Sequence, residues 1–339
     1  SWYPILMSID IESGALNWNR SYEEYSVGSE ANSVSSYNGT TFFIVTKESF
    51  QPSAVVAANS SDGNLLWEYQ LDEAIWNFAP ASPGDGTLLM GGTCGSVWRL
   101  SFAGELLWRA GPAPPGNDAM CGTSGGALGP NGIFYNAYSR TTIPFVKAEG
   151  IISAHRVSDG SLLWEKKMPV RASQYPAVGQ LGPDGKLFVA LPLGDNPFPP
   201  VLPEKAEETL VAEGLVGRLK NVVYTLDAAT GDVLWQSEEE PYNLLSAAGE
   251  REQHNPDDGP MCLPDSQGIP LIAGDGTVFA SSSHNGQLRA MRDKNSDGVI
   301  DASEVSIFET HECFLNSPSA APGMLVAAPC WGPVYVFKI

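Results

Sequence analysis

Leu226-Asp227-Ala228-Ala229-Thr230-Gly231-Asp232-Val233-Leu234-Trp235 decides how this chain folds, because its glycine-to-tryptophan interval keeps returning. Gly14 and Trp18, Gly63 and Trp67, Gly104 and Trp108, and Gly160 and Trp164 repeat the spacing of Gly231 and Trp235. In four of the five copies the residue before tryptophan is leucine: Leu66, Leu107, Leu163 and Leu234. Ahead of the fullest copy, Val222-Val223-Tyr224-Thr225-Leu226 is a β-rich run that ends at the turn. A recurring supersecondary unit fixes the fold before any single residue does.

The unit has a direct physical reading. A strand ends at a glycine free to take φ > 0, and a second strand returns carrying tryptophan. Tryptophan buries a large area and needs an acceptor for its N–H, so equivalent tryptophans imply equivalent docking sites on neighbouring sheets. Steps of 49 and 41 residues between the first three tryptophans match a four-stranded propeller blade. The later steps of 56 and 71 leave room for insertions.

Leu226 to Trp235 resembles the tryptophan-docking repeat of the pyrroloquinoline-quinone-like (quinoprotein-type) β-propellers, Ala/Leu-x-Asp-x-x-Thr-Gly-x-x-x-Trp. Asp10-Ile-Glu-Ser-Gly14 and Val157-Ser-Asp-Gly160 are looser copies. The resemblance spans nearly the whole chain and implies an all-β fold: a single β-propeller over residues 1–339, built of four-stranded blades. The expected count is six, with seven if the terminal segments belong to separate blades. The last segment, Met324 to Ala328 and Val334 to Phe337, stops without a tryptophan strand, whereas the N-terminus supplies one at Trp18. Closure by pairing N- and C-terminal strands is therefore expected. Such a repeat specifies the fold and leaves the activity open.

Composition narrows the functions. Nineteen basic and 39 acidic residues give a net charge of −20. That excludes a basic footprint for nucleic acid and disfavours an anionic membrane surface. No apolar run is long enough to span a bilayer. Ser1-Trp-Tyr-Pro4 has no basic n-region followed by an apolar stretch, so the sequence reads as a mature form or a fragment. The five cysteines, Cys94, Cys121, Cys262, Cys313 and Cys330, contain no Cys-x-x-Cys. Two disulfides and one thiol are expected, with Cys94–Cys121 joining neighbouring blades and Cys313–Cys330 closing a loop. Such bridges imply a secreted, periplasmic or lumenal compartment.

Two segments break the repeat. Residues 196–220 form an insertion: Asn196-Pro-Phe-Pro-Pro200 is extended, then Glu204 to Lys220 has helical character, with Leu210, Val211, Leu215 and Leu219 on one side. It reads either as a helix packed over a blade or as a partner-binding crown. Ser246 to Pro264 is a polar, strand-poor loop holding His254, Asp257 and Asp258.

One motif declares a site. Asp293-Lys294-Asn295-Ser296-Asp297-Gly298-Val299-Ile300-Asp301-Ala302-Ser303-Glu304 fits the twelve-residue EF-hand calcium loop at every diagnostic position. Asp293, Asn295 and Asp297 would each give a side-chain oxygen, and Val299 its backbone carbonyl. Asp301 would act directly or through water, and Glu304 would be bidentate. Gly298 permits the sharp turn and Ile300 points inward. Gln287 to Arg292 and Val305 to Phe308 fall where the repeat demands strands, with Phe308 in place of tryptophan. The loop thus substitutes for the Asp-x-x-Thr-Gly turn of one blade, and the expected role of Ca2+ is a structural staple, with no helix pair to open.

The resemblance carries an enzymatic alternative, a quinoprotein dehydrogenase. The family's enzymes hold their quinone in the central funnel, often on a disulfide between adjacent cysteines, with a second calcium. This sequence has no adjacent cysteines and no Cys-x-x-Cys-His, no His-Glu-x-x-His, and no Gly-x-Ser-x-Gly. The expected function is non-enzymatic: an extracytoplasmic scaffold or protein-binding module that engages a protein partner, or copies of itself, through its rim loops.

Overall fold

A computed structural model of the chain describes residues 3–26, 34–46, 52–76, 78–113, 121, 123, 125–140, 148–181, 185–196, 204–214, 218–244, 246–249 and 265–338. These residues form antiparallel sheets in strict chain order. The first pairs β1 (Ile5–Ile9) with β2 (Leu16–Ser21). The second runs β3 (Val34–Tyr37), β4 (Thr40–Thr46), β5 (Ser53–Asn59), β6 (Leu65–Gln70). The third has β7 (Thr87–Gly91), β8 (Val97–Ser101) and β9 (Leu106–Ala110), its first position reduced to a bridge between Ala81 and Leu89. The fourth runs β10 (Gly125–Leu128), β11 (Ile133–Arg140), β12 (Glu149–Arg156), β13 (Leu162–Met168).

The fifth sheet runs β14 (Ala177–Leu181), β15 (Lys186–Gly194), β16 (Asn221–Asp227), β17 (Val233–Glu238), with helix α1 (Glu204–Ala212) between β15 and β16. The sixth is β18 (Leu271–Ile272), β19 (Val278–Ser281), β20 (Gln287–Met291), β21 (Val305–Glu309). The last is β22 (Ser319–Ala321), β23 (Met324–Ala327), β24 (Tyr335–Lys338). The chain divides into two compact units, Ser1–Pro144 with Ile152–Glu165, and Phe145–Ile151 with Lys166–Ile339. The division falls inside β12 and β13.

The second to fourth sheets are graded from core to surface. An inner strand is apolar on both faces and buried, as in Ala54-Val55-Val56-Ala57-Ala58 of β5 and Leu88-Leu89-Met90 of β7. Such runs are what a strand sandwiched between two layers requires. The last strand of these sheets is half-exposed and carries the tryptophan.

The leucine before tryptophan has a structural reason. Register shifts place one extra residue in the tryptophan strand opposite Ala57/Ala58, Arg99/Leu100 and Thr225/Leu226, and those extra residues are Leu66, Leu107 and Leu234. In β2 the extra residue is Asn17. A β-bulge at this point sharpens the strand twist and re-aims the next side chain. Here the next side chain is the tryptophan.

In the first unit the tryptophans dock on the turn of the following sheet. Trp18 Nε1 donates to the Ser60 carbonyl (3.2 Å), Trp67 Nε1 to Phe102 (2.9 Å) and Trp108 Nε1 to Val157 (3.0 Å). The glycines of those turns lie under the rings: a Cβ on Gly63, Gly104 or Gly160 would stand 2.7–2.8 Å from Trp18, Trp67 or Trp108. All three take φ between +71 and +87°. In the turns of Gly14, Gly63 and Gly231 an acidic or amide residue four before the glycine is the cap: Asp10 Oδ1 accepts the Ser13 N–H, Asn59 Oδ1 that of Ser61, and Asp227 Oδ1 that of Ala229.

β1 pairs locally with β2 through the hairpin turn at Gly14, and β24 pairs with β23. One expectation needs correction. The helix of the insertion is shorter than its apolar stripe implied. Gly214, at φ +70°, stops α1, and Leu219 lies in a β-bridge with Tyr242.

Cys94 and Cys121 form a disulfide. Cys313 and Cys330 do not bond to each other, contrary to expectation. Their backbones meet through a Cys330 N–H···O Cys313 hydrogen bond of 2.8 Å, but Cys313 is buried and Cys330 only half-buried. Cys262, like His254, Asp257 and Asp258, lies outside the described residues.

Candidate metal centre

The loop 293–304 joins β20 to β21, two antiparallel strands paired from Gln287↔Glu309 to Met291↔Val305. Its backbone is folded by its own side chains. Asp293 accepts the N–H groups of Asp297 (3.2 Å) and Gly298 (3.0 Å). Asn295 Oδ1 accepts the Asp297 N–H (2.9 Å), and Asp297 Oδ1 the Val299 N–H (2.8 Å). Two residues take positive φ, Ser296 at 62° and Gly298 at 83°. A serine there is uncommon and marks a turn held by its surroundings.

Glu304 closes the loop. It is 5% exposed, and its Oε1 accepts the N–H groups of Lys294 (2.7 Å) and Asn295 (3.3 Å). Residue twelve therefore lies over residues two and three. Asp301 turns instead to Ser303, whose hydroxyl and N–H hold its carboxyl below the usual carboxylate range. Among the described residues no three His, Cys, Asp or Glu side chains form a ready-made metal cluster. The carboxylates of this loop are occupied with backbone N–H groups rather than converged on a point.

The donor set fits a hard cation. Asp293, Asn295, Asp297, the Val299 carbonyl and Glu304 offer only oxygen, as calcium requires. Four carboxylates within twelve residues face one lysine, Lys294, so the loop carries uncompensated negative charge. These residues would hold the ion, and the ion would supply that missing charge.

The loop also occupies the place of a tryptophan-docking turn. Val299 forms a parallel bridge with Gln236 of β17, and a Cβ on Gly298 would stand 3.1 Å from the Leu234 carbonyl. Ile300 packs on the cluster of Trp235, Val223, Phe188 and Met291. Phe308, in the tryptophan position of β21, meets Tyr335 and Phe337 of β24 edge-on, each at 5.0 Å. β20 and β21 pair without the bulge that aims tryptophan elsewhere.

Sequence reasoning missed a second, buried polar device. Glu73 is buried at the start of the third sheet and accepts the Cys94 N–H and the Ser96 hydroxyl, pinning the turn 92–96 beside the disulfide. Glu239 does the same for the sixth sheet: it accepts Ser282 Oγ (2.8 Å) and Asn285 Nδ2 (3.1 Å) and faces Arg289 at 3.8 Å. Burial raises both carboxyls above the usual carboxylate range. The only signal was position, since each glutamate follows a tryptophan strand by a few residues.

The comparisons agree with this architecture. Residues 93–301, more than half of the chain, match the family described as outer membrane protein assembly factor BamB. No curated protein matches the chain by sequence. The chain is similar to the crystal structure of BamB from Moraxella catarrhalis, with a TM-score of 0.59, 13% identity, and coverage of 99% of this chain and 79% of that one. It is similar to quinohemoprotein alcohol dehydrogenase from Comamonas testosteroni, with a TM-score of 0.61 and 12% identity, over 100% of this chain but only 64% of that one. It also resembles the Dos1 propeller, with a TM-score of 0.57, 9% identity, and coverage of 98% and 73%. At these identities the structural likeness establishes the β-propeller fold alone. With the family match across its central sheets, the chain belongs to the family of the outer membrane protein assembly factor BamB.

Proposed function

We propose that this chain is a non-enzymatic, calcium-stabilised β-propeller that acts outside the cytoplasm as a scaffold for protein assembly. It binds a protein partner, or further copies of itself, through rim loops. The observation that carries this reading is the match of residues 93–301 to an assembly-factor family. The Cys94–Cys121 disulfide suits an oxidising compartment. Among the described residues no helix is long and apolar enough to cross a membrane. Calcium in the loop 293–304 would tie the sixth sheet to β17 through Val299 and Ile300, an intramolecular role that needs no helix pair.

A second reading, a quinoprotein dehydrogenase, draws on the likeness to the Comamonas enzyme along this whole chain. The sequence has neither the adjacent cysteines nor the haem-attachment motif of that class, which favours the scaffold. Native mass spectrometry with and without chelator separates the two. One chelatable calcium, no quinone-sized adduct and subunit association support the scaffold. A quinone-sized adduct with a second calcium overturns it.

A further inference from the structure

Asn38-Gly39-Thr40 places an asparagine two residues before a hydroxyl with no proline between them, the acceptor pattern for an N-linked glycan. The fold accounts for the first two residues. Tyr37 of β3 pairs with Thr40 of β4, and the two residues between them take φ of 48° and 77°, the type I′ hairpin turn that Asn-Gly favours. Nothing in that turn calls for the threonine. Asn-Gly recurs at 131–132 and 285–286, where Ile133 and Gln287 follow.

The side chain of Asn38 is also unengaged. It is exposed, and no described residue bonds its amide. A Cβ on the adjoining Gly39 would meet nothing within 4 Å, so the space around the turn is open. The other two Asn-Gly amides are in use: Asn131 Nδ2 donates to the Tyr135 hydroxyl (2.8 Å) and Asn285 Nδ2 to Glu239 (3.1 Å). Two more asparagines have the acceptor pattern, in Asn19-Arg20-Ser21 and Asn59-Ser60-Ser61. Asn59 is half-buried, and its Oδ1 accepts the Ser61 N–H (2.9 Å) and hydroxyl (2.8 Å). Trp18 closes over that turn through the Ser60 carbonyl (3.2 Å). Asn19 lies inside β2, opposite Met7. Asn38 alone of the three combines a turn tip with a free amide.

We infer that Asn38 is an N-glycosylation site. The inference rests on the extracytoplasmic part of the scaffold reading, and the Cys94–Cys121 disulfide suits the same compartment. The sugar donor is an oligosaccharide carried on a lipid pyrophosphate. The Asn38 amide nitrogen attacks the anomeric carbon, the C–N bond forms and the sugar–phosphate C–O bond breaks. One amide proton passes to a base of the transferring enzyme, and the lipid pyrophosphate leaves. The attached glycan is bulky and solubilising. The Ser60 N–H donates to the Gly39 carbonyl (2.9 Å), so the β3–β4 and β5–β6 turns are neighbours and one glycan shields both. The protein partner therefore docks away from this end of the second sheet.

The test is mass spectrometry of the full chain secreted from animal cells behind an added signal sequence, before and after peptide-N-glycosidase. The secreted chain is heavier than its polypeptide, the excess is lost on digestion, and peptide mapping finds aspartate at position 38 in the digested protein. Thr40→Ala removes the glycan from Asn38, and Thr40→Ser retains it. The wild-type peptide map decides the site even where a variant is poorly secreted. An unmodified Asn38 in secreted chain whose Cys94–Cys121 bridge has formed overturns the inference and leaves the scaffold reading standing. A glycan that maps only to Asn19 or Asn59 overturns it equally. Association in native mass spectra is unchanged by digestion, and a gain or loss of association would place the docking surface at this end and overturn the shielding role. A quinone adduct removes the scaffold whatever the state of Asn38.

Discussion

Trp108 lies on Gly160: its Nε1 donates to the Val157 carbonyl at 3.0 Å, and a Cβ on Gly160 would stand 2.8 Å from the ring. Two separate demands meet at that glycine. Its φ of +74° disfavours any side chain, and the ring above leaves no room for one. Gly14 makes only the first demand, with φ +71° and nothing within 4 Å of a Cβ. Gly14→Ala should therefore cost about 1 kcal/mol, the left-handed backbone alone. Gly160→Ala should cost about 2–4 kcal/mol, because the overpacked ring must also shift. Urea unfolding of the two variants measures the difference. Equal losses would show that the indole does not bear on the glycine.

The repeat was legible because it is local. Spacing, turn chemistry and the leucine before tryptophan are all set within a dozen residues, and the bulges at Leu66, Leu107 and Leu234 explain why that leucine recurs. The strand around Val223 followed from an apolar run for the same reason. The carboxylates of Glu73 and Glu239 were not legible, because nothing local distinguishes a glutamate that will be buried against the next sheet's turn. The expected Cys313–Cys330 bridge rested on nearness in sequence alone, and the structure joins their backbones through one hydrogen bond. In the loop 293–304 the motif named the residues and the closing position of Glu304, but not the outward turn of Asp301 toward Ser303.

Calcium should stabilise the folded chain through Glu304. An ion that binds only the native state adds about 2.7 kcal/mol at a hundredfold excess over its Kd. The melting temperature should rise with calcium in the wild type and fall back with chelator. Glu304→Gln should lose most of that calcium-dependent rise while the fold persists. Because Glu304 also caps Lys294 and Asn295, the variant's metal-free stability can drop, so the readout is the calcium increment and not the absolute value. An undiminished increment in Glu304→Gln would remove Glu304 from the site.

His284 should make stability fall in mild acid. It is 1% exposed, stacks on Tyr242 at 5.1 Å and shares a hydrogen bond with the Asp195 carbonyl at 2.8 Å. Burial lowers its pKa from 6.5 to about 4. Between those values the unfolded chain binds a proton that the folded chain refuses. The contribution is thus complete above pH 6.5 and is lost as pH falls toward 4, to a total of roughly 3 kcal/mol. Histidine NMR should show one imidazole still neutral at pH 5. His284→Gln, which retains an N–H donor, should flatten the stability profile across this window. A His284 that titrates near 6.5 in the folded chain would refute the assignment.

Glu73 should work in the opposite direction. Burial raises its carboxyl, and the bonds from Ser96 and Cys94, with Arg109 nearby, offset only part of that. A carboxyl whose folded pKa exceeds its unfolded value binds more protons in the native state. Its contribution is therefore most favourable below the unfolded value of 4.5 and declines as pH rises through the folded value. Glu73→Gln keeps an acceptor for the turn 92–96 without the ionisation. Relative to wild type, it should be less stable or equal near pH 4.5 and gain ground as pH rises to neutrality. Urea midpoints for both proteins at the two pH values measure the crossing. A variant that loses ground on raising the pH would mean that the ionised carboxylate is favoured in the folded chain, with Ser96, Cys94 and Arg109 outweighing desolvation.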